Sequence, residues 1–260
     1  MSIPAHGYPL AAAVSPRLHV IETVDSTNAK LLRDAFDDAD GHPHLAALVT
    51  RDQTAGRGRL DRVWTTPPGS ALAVSVLLRI EAVPVAARGW IPLIAGEAMR
   101  AAVRAQGDGL DVALKWPNDV LVGGLKISGI LAEVMPGDPH AVVVGAGVNT
   151  AMTAAQLPVP TATSFAALNR RVDEDRLLAD FLTGLRDGIA ALAVGGAGMD
   201  DVRAKVAAAC GTIDAEVSVT LPDETTLRGR AVRLDPDGRL VVDAAGTEHV
   251  VAAGDVVHVR

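Results

Sequence analysis

The sequence predicts an α+β body closed by a small all-β module, and three observations carry that prediction. Up to residue 209, strand-type apolar runs alternate with helical segments and polar turns. From Gly211 onward only short β-branched segments remain, separated by turn chemistry such as Pro222-Asp223 and Asp235-Pro236-Asp237-Gly238. The length, 260 residues at 49% hydrophobic and 21% charged, suits one substantial core plus a small second unit. The expected division is a loose Pro/Ala-rich leader over 1–16, a larger α+β body over 17–209 and a β-barrel over 210–260.

In chain order, Leu18–Val24 alternates as a strand, and Asp25-Ser26-Thr27-Asn28 caps a helix over Ala29–Phe36. The quartet has two uses, since its short donors and acceptors at a strand end also suit a small polar ring. Leu45–Val49 is a strand of buried type, Arg51–Trp64 a loop and Leu72–Leu78 the next strand. Val85–Gln106 has a helical apolar face interrupted near Pro92, with Trp90 in the core. Val112–Leu114, Val120–Val122 and Leu125–Val134 are strands, the last two joined by a hairpin turn at Gly123-Gly124. Ala141–Val144 is a strand running into Gly145–Asn149, Ala151–Thr163 a connector, and Asp173–Val194 and Asp201–Ala209 are helices. The closing module has strands at Val217–Leu221, Thr226–Leu234, Arg239–Asp243, His249–Val251 and Val256–Val259.

Composition excludes several function classes. No apolar run approaches the ~18 residues of a membrane helix, and the N-terminus lacks the basic start of a secretory signal. The single Cys210 rules out an internal disulfide and a cysteine metal cluster, so the cytoplasm is the expected compartment. A net charge of -7, with basic residues gathered in one loop, argues against DNA binding. The strand at Leu18 also begins too early for a helix-turn-helix ahead of it.

That loop is the densest feature. Arg51, Arg57, Arg59 and Arg62 stand with Gly56 and Gly58 between two strands, as a segment closing over an anion would. Neither Gly56-Arg57-Gly58 nor Gly145-Ala146-Gly147 is a dinucleotide fingerprint, because Asp61 and Thr150 replace the third glycine. Lys115, Asn118, Asp119 and Lys126 converge near one sheet edge, where one carboxylate is enough for a Mg²⁺ carried mainly by phosphates and water. Ser26 and Ser128 lack nucleophile-elbow glycines and the seven histidines lie outside these motifs, so no hydrolase triad is indicated. His42 and His44 read as a surface turn. The set suits phosphoryl or adenylyl chemistry.

Ser26-Thr27-Asn28, Gln53–Arg59 followed by Trp64, Lys115–Asp119, Lys126–Glu133 and Gly145–Asn149 together resemble the biotin protein ligase family, in its short form without a DNA-binding domain. The resemblance covers nearly the whole chain. It implies a class II synthetase-like mixed β-sheet with packed helices and a C-terminal SH3-like barrel. It implies an adenylate-forming ligase that uses biotin, ATP and Mg²⁺ and modifies a lysine of a biotin carboxyl carrier protein, with no DNA or membrane partner. By motif, Ser26, Thr27, Asn28, Gln53, Gly56, Arg57, Gly58, Arg59, Lys126 and Gly129 would bind biotin. Arg57, Arg59, Trp64, Lys115, Asn118, Asp119, Lys126 and Asn149 would face ATP and the adenylate. Lys126, Arg59 and Asp119 would be catalytic, with Asp119 at the metal. A lipoate–protein ligase and a non-catalytic biotin-binding regulator on the same fold are the alternatives. Leu60-Asp61-Arg62 departs from the family's frequent second Gly-Arg and leaves the loop's ordering as the open point.

Overall fold

The computed structural model describes residues 7–259; residues 1–6 of the expected leader and Arg260 of the expected barrel lie outside the described residues. The chain begins with helix α1 (Pro9–Ala12), strand β1 (Leu18–Val20) and helix α2 (Thr27–Asp37). Strands β2 (Ala47–Thr50), β3 (Gly56–Arg57), β4 (Val63–Trp64) and β5 (Ala71–Arg79) precede helix α3 (Ile91–Arg104). Strands β6 (Val112–Lys115), β7 (Asp119–Val122), β8 (Leu125–Met135) and β9 (Asp138–Asn149) follow, then helices α4 (Glu174–Val194) and α5 (Gly196–Ala209). The last unit holds β10 (Glu216–Thr220), β11 (Thr226–Leu234), β12 (Leu240–Ala244), β13 (Thr247–Val251) and β14 (Asp255–His258).

Seven strands form a mixed sheet in the order β1-β2-β5-β9-β8-β7-β6, with β1 and β2 parallel and the rest antiparallel. Strand period explains its two faces. Along β9, Val142, Val144, Ala146 and Val148 point into the large core with α3 and α4, where Leu93, Ile94, Met99, Phe181 and Leu185 are buried. Ala141 and Val143 point to the other face, where Leu31 and Ala35 of α2 make a smaller core. Gly145 and Gly147 continue that second face, opposite Ser75 and Ala73 of β5 and opposite Leu131 and Gly129 of β8. A stretch of sheet almost without side chains is left beside the N-terminus of α2.

Five antiparallel strands make the C-terminal unit in the order β13-β12-β11-β10-β14. It docks on the body through Trp90 Nε1 donating to Pro236 O (2.8 Å) and Trp116 Nε1 donating to Gly238 O (3.1 Å). Trp116 N–H also donates to the buried Thr212 Oγ1 (3.0 Å), which contacts His258 Nε2 at 3.1 Å. Cys210 is buried at the junction, bridged to Leu114.

Several expectations need correction. The described part of the leader is packed: Tyr8 and Ala11 are buried, and Leu10 and Ala11 N–H donate to the Asp175 carboxylate (3.0 Å each). Pro92 does not interrupt a helix but sits in the first turn of α3, after a 3₁₀ segment over Val85–Trp90. The helix expected at Asp201 begins at Gly196, and β9 is one strand through the glycines. His42 is no surface residue: it is buried, its Nδ1 contacts Asp38 O at 2.8 Å, and its ring stacks on His19. His44 Nδ1 accepts from the Arg79 N–H (3.0 Å).

Candidate active site

A cavity of about 400 Å³ opens over the bare stretch of sheet, floored by Ala73, Gly129, Gly145 and Gly147. It has a neutral polar end and a charged end. At the neutral end Ser26 caps α2, accepting from Ala29 N–H (3.4 Å). Thr27 donates from both N–H (2.7 Å) and Oγ1 (3.0 Å) to Gln53 Oε1, which locks the cap to the end of β2. Asn28 accepts from Ser75 Oγ (2.5 Å) and donates to Leu131 O (3.2 Å) and Glu133 Oε2 (2.8 Å). Its amide fits only because residue 145 has no side chain; a Cβ there would meet it.

Five cations line the cavity, Arg57, Arg59, Arg62, Lys115 and Lys126, against two carboxylates, Asp119 and Asp255. In a chain of net charge -7 this concentration is a site for an anion. Lys126 Nζ lies 2.6 Å from Asp119 Oδ1 across the β7–β8 hairpin, whose turn residues Gly123 and Gly124 both have φ above +50° (56° and 80°). Gly129 leaves room for that lysine, since a Cβ there would stand 3.1 Å from Lys126 Nζ. Burial lowers the Lys115 ammonium below its ordinary value, and the nearby Asp119 carboxylate opposes that shift. Burial acts in the same direction on Arg59, again opposed by Asp119.

The arginine loop is a hairpin. Gly56 pairs with Trp64 and Arg57 with Val63, Gly58 N–H donates to Arg62 O (2.6 Å), and Leu60 and Asp61 both take left-handed backbone (φ 53° and 56°). Two left-handed residues between Arg59 and Arg62 make a turn of the type that matches strand twist, and aspartate tolerates this conformation well. The departure at Asp61 therefore falls on a turn position. Trp64 lies over Gly147, where a Cβ would come within 2.7 Å of its indole.

Most of the expected site residues meet here. Ser26, Thr27, Asn28, Gln53, Arg57, Gly58, Arg59, Trp64, Lys115, Asn118, Asp119, Lys126 and Gly129 all line the cavity. Gly56 lies in the outer cleft between the hairpin and β8, where a Cβ would press on Trp64 O and Gln53 Nε2. Asn149 is outside the cavity lining; it is buried and donates to Thr163 O (2.9 Å). Arg51 is not a loop cation: its Nη2 donates to Gly69 O (2.7 Å) and stands 3.3 Å from Glu174 on α4.

Two contributions had no signal in the motifs, and a third, Glu133, closes a motif without a role assigned to it. Asp255, Val256 and Val257 of β14 complete one wall. Asp255 pairs with Arg62, and Arg59 donates to Asn118 Oδ1 (3.1 Å) and to Gly254 O (3.4 Å), so the hairpin rests on the C-terminal unit. The connector pins the Lys126 backbone, with Lys126 N–H donating to Thr161 O and Thr163 N–H to Lys126 O (2.8 Å each). Glu133 joins Asn28 to Arg57. Among the described residues, no group of three or more His, Cys, Asp or Glu is placed to hold a metal.

Comparison with known proteins agrees with this geometry. Residues 20–149 match the biotin/lipoate A/B protein ligase family and residues 212–259 the biotin protein ligase C-terminal domain. The chain is 37% identical to a biotin–[acetyl-CoA-carboxylase] ligase of Mycobacterium tuberculosis, over 94% of this chain and 90% of that protein. It is 33% identical to the bifunctional ligase/repressor BirA of Salmonella typhimurium over 72% of this chain, spanning 56% of that longer protein. Among solved structures, the biotin protein ligase of Aquifex aeolicus in complex with biotin and ATP superposes with a TM-score of 0.78 at 23% identity, covering 94% of this chain and 99% of that one. The Leishmania major biotin protein ligase in complex with biotinyl-5-AMP superposes at 0.61 with 26% identity, covering 92% and 99%.

Proposed function

The chain belongs to the biotin/lipoate A/B protein ligase family, and from that premise we propose that it activates biotin with ATP and passes the biotinyl group to one lysine of a biotin carboxyl carrier protein. One observation carries the reading: one glycine-floored cavity joins fixed hydrogen-bonding side chains at the cap of α2 to a lining that holds five cations. Biotin is a neutral bicycle on an aliphatic chain that ends in a carboxylate, and it matches that polarity end to end.

In the first step the biotin carboxylate oxygen attacks the α-phosphorus of ATP, and the bond to pyrophosphate breaks. Two anions must approach, and charge builds on the leaving pyrophosphate, so fixed cations act where repulsion is greatest. Lys126 of β8 and Lys115 of β6 stand on the two strands that flank β7, and Arg57 and Arg59 reach in from the arginine hairpin. In this reading Ser26, Thr27, Asn28 and Gln53 hold the ureido ring, Gly129 and Gly58 admit the chain, and Trp64 covers the adenine. Asn118 keeps Arg59 over the phosphates. Asn149 acts at one remove, by holding the connector that pins Lys126.

The residues also fit Mg²⁺ carried by the triphosphate, since Asp119 offers one cavity-facing carboxylate, as such an ion requires. The ion would neutralise phosphate charge when bound. Asp119 would hold the ion, and the Lys126 ammonium would face the α-phosphate.

The product is a mixed anhydride that water destroys, and a hairpin resting on the C-terminal unit shields it. In the second step the neutral amine of the carrier lysine attacks the acyl carbon, and AMP leaves. Intact-mass measurement on a purified carrier domain incubated with the chain, biotin and MgATP tests the proposal. One added biotinyl group, absent when the acceptor lysine is replaced by arginine, is expected; an unmodified carrier would overturn the transfer.

A further inference from the structure

Glu133 stands at the end of the Lys126–Glu133 motif on β8, yet none of the roles in the ligation above uses it. Its Oε2 accepts from Asn28 Nδ2 at 2.8 Å and from Arg57 Nη2 at 2.9 Å. The first donor belongs to the neutral end of the cavity and is buried, with an amide already held by Ser75 and Leu131. The second belongs to the hairpin and is more exposed (42% for the Arg57 side chain against 25% for Glu133). One carboxylate oxygen is thus the only atom bonded to both a ring-end side chain and a hairpin cation among the described hydrogen bonds.

We propose that Glu133 is a positioning residue that couples occupancy of the ring end to the placement of the hairpin; this rests on the ligase reading. The physics is that of a shared acceptor. Asn28 cannot turn without giving up a charge-assisted bond to Glu133, because Gly145 and Ser75 enclose its other side. Arg57 cannot leave Glu133 without exposing that carboxylate to Asn28 alone. A ligand that tightens Asn28 therefore fixes the Glu133 oxygen, and the fixed oxygen fixes Arg57 above the ligand's carboxylate. As an exposed pair alone, Arg57–Glu133 would contribute little; sharing the oxygen with a buried amide makes its position matter. Two sites linked through one shared partner respond non-additively to mutation.

The test is a double-mutant cycle read by calorimetry with biotin on the full chain. Asn28→Ala, Arg57→Ala and the double variant are measured with Glu133 present and again with Glu133→Ala. The proposal expects the combined loss of affinity to differ from the product of the single losses by about 5-fold or more with Glu133, and by less than about twofold without it. Losses that multiply in both backgrounds, or fail to multiply in both, would overturn it. Glu133→Gln, which keeps the volume, repeats the cycle should the alanine variant not fold, and must also reduce the coupling. No binding of biotin by the unsubstituted chain would instead remove the ligase reading, an outcome distinct from a failed cycle.

Discussion

The two glycines on β9 give the sharpest prediction, because each touches a different end of the cavity. A Cβ at Gly145 would overlap Asn28 Oδ1 and stand 2.9 Å from its Cγ and 3.1 Å from its Nδ2. Asn28 is buried, so its amide can only turn, giving up Ser75 Oγ (2.5 Å) and Glu133 Oε2 (2.8 Å). One neutral and one charge-assisted hydrogen bond hold the amide in its place with about 3 kcal/mol, so an Asn28 displaced from the cavity should lower biotin affinity by up to roughly 100-fold. A Cβ at Gly147 would instead stand 2.7, 2.9 and 3.0 Å from three indole carbons of Trp64. Carbon contacts are relaxed at about 3.5–4.0 Å, so the indole must swing away. An aromatic platform under a base contributes about 1–3 kcal/mol, so Gly147→Ala should raise the KM for ATP by roughly 5- to 100-fold and change biotin affinity by less than about 3-fold. Calorimetry with biotin and initial rates against ATP, on variants whose thermal unfolding is checked, measure both. Equal losses of both ligands in both variants, or an unchanged biotin affinity in Gly145→Ala, would refute the division of the cavity.

Other consequences follow from the same geometry. Lys126→Ala should slow adenylation by about 10²- to 10³-fold while biotin binds within about 5-fold of the unsubstituted chain; single-turnover rates and calorimetry separate the two, and equal losses would contradict a charge-stabilising role. Arg51→Ala breaks an ion pair whose side chains are each only 12% exposed; a loss of about 3 kcal/mol should lower Tm by roughly 6–12 °C and leave biotin affinity unchanged, whereas a selective loss of binding would return Arg51 to the site. His19, His44 and His258 are held below the ordinary imidazole value, each chiefly by burial. The unfolded chain therefore takes up their protons first, near pH 6.5. Their contribution is full above that pH and is lost as pH falls through the lowered folded values, so Tm should drop between about pH 7.5 and about pH 5. A flat or rising Tm by calorimetry would contradict the shifts.

The sequence made legible what local rules control. Gly123-Gly124 dictates a hairpin, and the hairpin brings Lys126 to Asp119 whatever the rest of the chain does. Ser26 announces a cap by chemistry alone, and the turn residues after Gly211 announce the small β unit. What stayed hidden depends on partners far along the chain. Arg51 looks like its neighbours Arg57 and Arg59 until Glu174 is placed beside it. The acids opening α4 suit a helix N-terminus, yet Asp175 also holds the leader and Glu174 holds Arg51 and Tyr8. Nothing local in Asp255 or Thr163 says that one props the hairpin and the other pins Lys126. Asn149 is instructive in the same way: a polar residue closing a glycine-rich strand looks aimed at a ligand, and its amide also donates to Thr163 O of the connector.

Biotin-dependent exchange of labelled pyrophosphate into ATP tests the central claim most directly, because it requires the cavity to form and reverse the adenylate without any carrier. The account predicts exchange that depends on biotin and MgATP, is absent with lipoate, and collapses in Lys126→Ala. Exchange driven by lipoate and not by biotin, or biotin binding with no exchange at all, would contradict it.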